Sequence, residues 1–267
     1  MRAKKSFGQN FLTDKNIVRK IVEAAGVKAG DLILEIGPGR GSLTTALLEA
    51  GAKVVAVEAD KDLIEPLQRI LPLLTKERDG VRLVYGDILS DEVWKELRRV
   101  INKDYSVVAN IPYNITSPIL EKLFTVKPRP KRLTLMVQRE VADRLLAVPP
   151  KTSVLSIACQ LYAEGKKMMQ VKRGAFNPPP KVDSTVVRLD LRTERLGGID
   201  PEEVLKIVKA GFSSRRKQLH GNLAKTKVCS SEKAKETLKK IALDEKSRAE
   251  NLTPNDWLKL FSLLFKK

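Results

Sequence analysis

Histidine is almost missing from this chain: among 267 residues only His220 carries an imidazole. A serine or cysteine nucleophile activated by histidine would have to depend on that one ring. It sits in RRKQLHGN (215–222), among cations and with no acidic orienter close in sequence, which favours a surface or RNA-facing role over catalysis. Cysteine is nearly as scarce. Cys159 and Cys229 lie far apart with no ligand pattern around either, so neither a disulfide framework nor a zinc site is supported, no metal is expected, and both read as buried thiols. No apolar run approaches the length of a membrane span. The basic start MRAKKSFGQNFL (1–12) lacks a long apolar core and a small-residue cleavage site, so it does not read as a secretory signal. A cytosolic (cytoplasmic) protein with no membrane partner is expected.

Negative charge is the other shortage. The chain has 50 Lys and Arg against 32 Asp and Glu, a formal net charge of +18, which points to a polyanion partner; lysines scattered on helix faces for solubility are the bland alternative. The excess is densest at the end, where residues 192–267 hold 18 of the basic residues and 10 of the acidic ones. At 42 % hydrophobic content the length suffices for one sizeable domain and a small one.

Thr13 or Asp14 can cap a helix whose apolar positions Ile17, Ile21 and Val22 share one face, with Gly26 as a left-handed stop. Short apolar runs then alternate with helix-length segments. LILEIG (32–37), KVVAVE (53–58), VRLVYG (81–86), YSVVAN (105–110) and RLTLMVQ (132–138) are too continuous for one-sided burial and predict strands of a parallel sheet. Residues 42–50, 61–74, 91–102 and 117–124 supply helices between them, giving the rhythm of an α/β, doubly wound fold. Ligands in such sheets bind beyond the carboxyl ends of the strands, which gathers Gly37, Glu58, Asp87 and Asn110 around one crevice. After residue 150, SVLSIACQLYA (153–163) and STVVRLDL (184–191) predict two further strands in a hairpin-like relation around the proline-rich FNPPPKVDS (176–184). TERLGGID (193–200) reads as a linker. Beyond it, Asp200-Pro201-Glu202-Glu203 opens a helix to about Phe212, and Thr253-Pro254 opens one carrying Trp257, Leu260 and Leu264 on one face.

EIGPGRGSLT (35–44) is a glycine-rich turn between strand and helix, with Gly37, Gly39 and Gly41 spaced G-x-G-x-G. As a dinucleotide fingerprint it is imperfect, since the third glycine of G-x-G-x-x-G would fall on Ser42. Glu58, ending the second strand, is placed to accept from two ribose hydroxyls, as nicotinamide and S-adenosylmethionine folds both require. Asp87 ends the third, where a carboxylate can accept from an adenine amine, which suits S-adenosylmethionine better. Helix capping is the plain alternative for each, but Ser90 is a better cap than Asp87.

VVANIPYNITSP (107–118) carries the chemistry. An exocyclic adenine amine is a poor nucleophile because its lone pair is delocalised into the ring. The Asn110 side-chain oxygen and the Ile111 carbonyl can each accept a hydrogen bond from that amine and aim its lone pair at a sulfonium methyl. Pro112 fixes the carbonyl's direction, and Tyr113 offers a face on which an extruded base stacks. The methylated ammonium loses its proton readily, so no strong base is needed and the lack of histidine is no obstacle. Phe176 is placed either to cover the base's other face or to pack in the core.

FGQNFL (7–12), EIGPGRGSLT, VEAD (57–60), GDIL (86–89), NIPYNITSP (110–118), MVQREVADRL (136–145), FNPPPKVDSTV (176–186) and FSSRRKQL (212–219), in this order, resemble the ribosomal small-subunit RNA adenine N6,N6-dimethyltransferases, the kasugamycin-sensitivity family. The resemblance spans nearly the whole chain. It implies a Rossmann-like, S-adenosyl-L-methionine-dependent methyltransferase domain over 1–192 and a small all-helical, basic RNA-docking domain over 193–267. The implied reaction is dimethylation of two adjacent adenines in a hairpin loop near the 3′ end of small-subunit rRNA, within an assembling small ribosomal subunit, by a monomer. It further implies that Asn10 and Leu12 close over the methionine part of the cofactor. Gly37 and Gly39 line the cofactor, Glu58 binds its ribose, Asp87 its adenine, and Asn110 both cofactor and target amine. Arg215, Arg216 and Lys217 are the first candidates for phosphate contacts, with a solvated helix face as the alternative. Rival readings are a resistance-type enzyme acting on large-subunit RNA, a noncatalytic assembly or transcription factor on the same fold, and a nicotinamide oxidoreductase, which Ser42 disfavours.

Overall fold

The computed structural model describes residue 4 and residues 8–71, 80–101, 104–192 and 196–265. Phe7 of the first motif, residues 72–74 and 102 of two expected helices, and residues 193–195 of the expected linker lie outside them.

The first half follows the expected alternation. β1 (Phe11–Leu12) leads into α1 (Lys15–Ala25), capped by the Asp14 carboxylate and ended by Gly26 at φ 64°. Then come β2 (Leu32–Ile36), α2 (Ser42–Glu49), β3 (Lys53–Glu58), α3 (Lys61–Ile70), β4 (Val81–Tyr85), α4 (Asp91–Val100), β5 (Tyr105–Asn110), α5 (Thr116–Thr125), β6 (Arg132–Gln138) and α6 (Arg139–Leu145). Ser90, not Asp87, caps α4, its hydroxyl accepting from the Val93 amide. α7 (Val154–Tyr162), β7 (Ala163–Val171), β8 (Phe176–Asn177) and β9 (Ser184–Leu191) follow, then α8 (Pro201–Gly211), α9 (Leu219–Lys225), α10 (Ser231–Lys240) and α11 (Pro254–Phe265).

The main sheet runs β4-β3-β2-β5-β6-β9-β7. β2 through β6 pair in parallel, and β9 joins β6 antiparallel. The strand order reverses between β2 and β5, so the ligand crevice of a doubly wound sheet belongs there. β2 is buried at every residue and β5 buries Val107, Val108 and Ala109 completely, which is why both read as unbroken apolar runs.

One expectation fails. Residues 153–163 form not a strand but helix α7, and the strand beside β9 is β7, starting only at Ala163. α7 buries Ser156, Ile157, Ala158, Cys159, Leu161 and Tyr162 around most of its circumference, so its composition has no helical stripe and imitates a buried strand. The sequence signal against a strand is Ser153-x-x-Ser156: the Ser153 hydroxyl accepts from the Ser156 amide at 3.2 Å while Ser156 Oγ accepts from the Ser153 amide at 2.7 Å. β7 escapes notice for the opposite reason. It is an edge strand with exposed Lys166 and Lys167, charges that protect an edge and disguise a strand.

The chain forms two compact units. Met1–Ala142 with Gly165–Leu191 makes the sheet unit, and Asp143–Glu164 with Arg192–Lys267 the helical unit, which therefore takes in α7 from ahead of residue 192. The helical unit has its own core, with Ile157, Val204, Val208, Leu223, Leu238, Trp257 and Leu260 fully or almost fully buried. No helix among the described residues is long and apolar enough to cross a membrane.

Candidate active site and nucleic-acid interface

A cavity of about 510 Å³ opens beyond the carboxyl ends of β2, β3, β4 and β5 in the sheet unit. Its wall contains Asn10, Leu12, Gly37, Gly39, Glu58, Asp87, Asn110, Ile111, Pro112 and Tyr113, so residues scattered over a hundred positions converge on one volume.

The glycine turn after β2 forms one wall. Gly39 sits at φ 60°, and a Cβ there would come within 3.1 Å of the Phe11 ring; glycine lets the turn lie flat beneath β1. Arg40 stacks over the Phe11 ring, its guanidinium carbon 4.5 Å from the ring centre. The next wall is Glu58, 6 % exposed. Its Oε2 accepts from the Gly39 amide at 3.1 Å and its Oε1 from the Asp60 amide at 2.9 Å. Each carboxylate oxygen has room for a second bond, which is the capacity needed to take two vicinal hydroxyls. Burial raises the Glu58 carboxyl above its usual range, and the amides offset part of the rise. Gly86 carries the chain from β4 to Asp87 at φ 151°, where a Cβ would collide with Val93 at 2.5 Å. Asp87 is exposed and accepts from the Leu89 amide through Oδ1 at 2.9 Å.

Asn110 ends β5. Its Nδ2 donates to the Asn10 carbonyl at 3.2 Å; a carbonyl can only accept, so the amide's orientation is fixed and Oδ1 is the atom left as an acceptor. The Ile111 amide donates to the Met136 carbonyl at 3.2 Å, which ties the peptide after Asn110 to β6. Tyr113 is half-buried, and its hydroxyl shares a 2.6 Å hydrogen bond with Ser184 Oγ at the start of β9. Burial raises the tyrosine pKa, partly offset by that bond.

The N-terminal segment is held over the cavity by contacts that spacing does not reveal. β1 pairs antiparallel with β8, Leu12 opposite Phe176. Lys4 Nζ and Gln9 Nε2 reach the two oxygens of Asp60 at 2.6 and 2.8 Å. Asp60 is 2 % exposed; burial works against its charge, but Lys4, Gln9 and the Asp62 amide hold its carboxyl below the usual range. A depressed carboxyl contributes stability above its unfolded pKa and loses it as pH falls through the folded one. The clasp is therefore intact at neutral pH and released only in acid, below about pH 4. Asp60→Asn is expected to release it at neutral pH, seen as faster hydrogen exchange at the Gln9 and Phe11 amides; unchanged exchange there would show that the clasp holds nothing.

Of the two settings expected for Phe176, the structure shows core packing. Phe176 is 3 % exposed, belongs to the core with Leu12, Met136 and Val186, and is absent from the cavity wall. Pairing with β1 turns it into the sheet unit's interior, where it packs in the core. Three lining residues of consequence went unread: Glu35, Tyr85 and Arg40. Glu35 falls inside an apolar strand pattern and Tyr85 ends one, so neither is marked out by composition.

Arg215, Arg216 and Lys217 are exposed in the turn between α8 and α9 of the helical unit, with no ion pair to the described residues. Asn222, 2 % exposed, holds that turn: its Nδ2 donates to the Gly211 carbonyl at 2.5 Å and the Ser214 carbonyl at 3.0 Å. Asn222→Leu strips both acceptors of their donor and should destabilise the chain by about 1–3 kcal/mol in urea unfolding; an unchanged midpoint would contradict this. His220 lies nearby, its ring nitrogens bonded to Ser231 Oγ at 2.8 Å and Gln218 Oε1 at 2.7 Å, and takes no part in the cavity. Cys159 is fully buried, its thiol pushed up to about 12, but Cys229 is only partly buried. No group of three or more metal-ligating side chains occurs among the described residues.

A family model described as ribosomal RNA adenine dimethylase matches residues 1–266. A ribosomal RNA small subunit methyltransferase A from Lactobacillus helveticus is 41 % identical, covering 97 % of this chain and 90 % of that protein. Among solved structures, a dimethyladenosine transferase from Plasmodium falciparum superposes with TM-score 0.75 at 30 % identity, covering 94 % of this chain and 95 % of that one. The 23S rRNA methyltransferase ErmE superposes with TM-score 0.72 at 25 % identity, covering 96 % and 99 %.

Proposed function

Because this chain belongs to the ribosomal RNA adenine dimethylase family, we propose that its cavity binds S-adenosylmethionine and that Asn110, Ile111, Pro112 and Tyr113 present the acceptor adenine to it. The enzyme is an rRNA adenine methyltransferase of the small-subunit type. The observation that carries the cofactor assignment is electrostatic. In a protein of net charge +18, the cavity wall holds the acids Glu58 and Asp87, beside the buried Glu35, against one cation, Arg40. That wall suits a cationic ligand and repels the pyrophosphate of a nicotinamide dinucleotide.

The residues present fit the cofactor. Glu58 keeps acceptor capacity for ribose hydroxyls and Asp87 an oxygen for an adenine amine, in a volume of suitable size. Gly37, Gly39, Asn10 and Leu12 complete the walls. When bound, S-adenosylmethionine supplies an electrophilic methyl on a sulfonium. The protein supplies position. Asn110, pinned through Nδ2 by the Asn10 carbonyl, offers Oδ1 to the adenine amine, and the Ile111 carbonyl, in the peptide that precedes the Pro112 ring, offers a second acceptor. Two acceptors on one amine hold its hydrogens to one side and turn the lone pair out. Tyr113, tethered by Ser184, keeps its ring in place for an unstacked base. The proton shed after transfer passes to solvent without a strong base.

The substrate is two adjacent adenines of a hairpin loop near the 3′ end of small-subunit rRNA, met in an assembling subunit and docked by the basic turn at Arg215, Arg216 and Lys217. ErmE, with comparable structural similarity, makes large-subunit RNA the alternative acceptor. Offering both acceptors with labelled S-adenosylmethionine separates them. Label on small subunits lacking the modification is expected; label on naked large-subunit RNA alone would overturn the substrate assignment.

A further inference from the structure

The acceptor motif and the proline-rich motif meet at one hydrogen bond: Tyr113 Oη and Ser184 Oγ, 71 positions apart in sequence, stand 2.6 Å from one another. Tyr113 lines the cavity and Ser184 does not. Ser184 is completely buried, so its hydroxyl reaches the site only through the tyrosine. Both ends of the bond are anchored separately. Ser184 pairs with Gln138 in the β6–β9 ladder, and Asp183 just before it is braced: its carbonyl accepts from the Arg139 amide at 3.1 Å, its Oδ1 from the Arg173 amide at 3.0 Å and its Oδ2 from Lys172 Nζ at 3.2 Å. On the other side, the Thr116 hydroxyl donates to the Pro112 carbonyl at 3.3 Å and the Tyr113 carbonyl at 3.4 Å, which holds the backbone of the motif without touching the ring. Among the described residues the phenol makes no other hydrogen bond. The terminal torsion of a tyrosine is soft, so the Ser184 bond is what fixes the outer end of the ring.

The two methyl transfers do not ask the same of that ring. In the first, adenine offers two N–H groups to two acceptors, Asn110 Oδ1 and the Ile111 carbonyl. In the second, a methyl has replaced one hydrogen and a single N–H remains, so one of the two polar holds is gone and the stacked ring carries more of the positioning. We propose that Ser184 is a positioning residue for the second methyl transfer: by pinning the Tyr113 ring, it keeps the monomethylated base in line when only one amine hydrogen is left to grip. In that step the lone pair of the amine nitrogen forms the bond to the sulfonium methyl, the carbon–sulfur bond breaks with its electrons going to sulfur, and the last amine proton goes to solvent. The inference rests on the reading of Asn110 to Tyr113 as the acceptor site.

The test is a time course of methylation of small subunits lacking the modification, with the digested RNA resolved by mass spectrometry into N6-methyladenosine and N6,N6-dimethyladenosine. Ser184→Ala is expected to slow the second transfer by about 10-fold and the first by about 2-fold or less, so the monomethyl product accumulates relative to wild type. Tyr113→Phe removes the same bond from its other end without altering β9. It is expected to give the same product ratio, and the double variant to be no worse than either. A wild-type ratio, or equal slowing of both transfers, in either single variant overturns the role of Ser184 while leaving the acceptor site standing. A wild type that methylates no small-subunit adenine overturns both. Should Ser184→Ala not fold, Tyr113→Phe alone decides by the same ratio. Fluorine NMR of protein carrying 3-fluorotyrosine, with the Tyr113 signal assigned by Tyr113→Phe, reads the tether without turnover: a shifted signal in Ser184→Ala is expected, and an unmoved one contradicts the proposal.

Discussion

Asn110→Ala should lower methyl transfer by about 10²–10³-fold or more while RNA binding persists. The side chain is asked to do two things at once. Its Nδ2 ties the end of β5 to the Asn10 carbonyl, and its Oδ1 is the acceptor that orients the target amine. Alanine removes both, yet the change lies in the sheet unit, far in sequence from the basic turn at Arg215. Asn110→Asp separates the roles: it keeps an acceptor for the amine but sets a carboxylate oxygen against the Asn10 carbonyl, a repulsive contact. Methyl transfer should fall in that variant through loss of the tie to Asn10, although the amine keeps an acceptor. An Asn110→Ala enzyme with full turnover would end the amine-orienting role, whatever its cofactor affinity.

Replacing Arg215, Arg216 and Lys217 together should weaken RNA binding by about 10²-fold or more at ~100 mM salt and reduce the slope of log affinity against log salt by about two to three. The three side chains are exposed and have no ion pair to the described residues, so their charge is available to phosphate. The turn that bears them is fixed by Asn222 through two carbonyls, which means the variant should fold: the substitutions touch none of its internal bonds. Methyl transfer measured at saturating substrate should survive better than affinity. A salt slope equal to that of the unaltered protein would remove these residues from the interface and leave the turn as a solvated loop.

Much of this was legible in the sequence, for reasons that can be named. β2, β3 and β5 read as strands because both faces are buried, and their ends could be placed because Gly37, Glu58 and Asn110 each break an apolar run. A parallel sheet then forces those ends together, so the cavity followed from topology. α8 and α11 were readable because Asp200 with Pro201 and Thr253 with Pro254 mark their starts. What stayed hidden was either buried all round or made by distant pairing. α7 lacks a polar stripe and looked like a strand. β1 and β8 are two residues each and gain their identity only from one another, so the choice between the two settings of Phe176 needed the structure. Asp60, seen in sequence as part of a motif, acts through Lys4 and Gln9, more than fifty positions away. Glu35 sits in a strand whose every neighbour is apolar, and only the structure shows it in the cavity wall.

The most direct measurement is mass spectrometry of small-subunit rRNA after incubation of subunits lacking the modification with this protein and S-adenosylmethionine. The account predicts N6,N6-dimethyladenosine at two adjacent positions near the 3′ end. Unmodified adenines there, in subunits that bind the protein tightly, would contradict it and leave the fold as an RNA-binding scaffold.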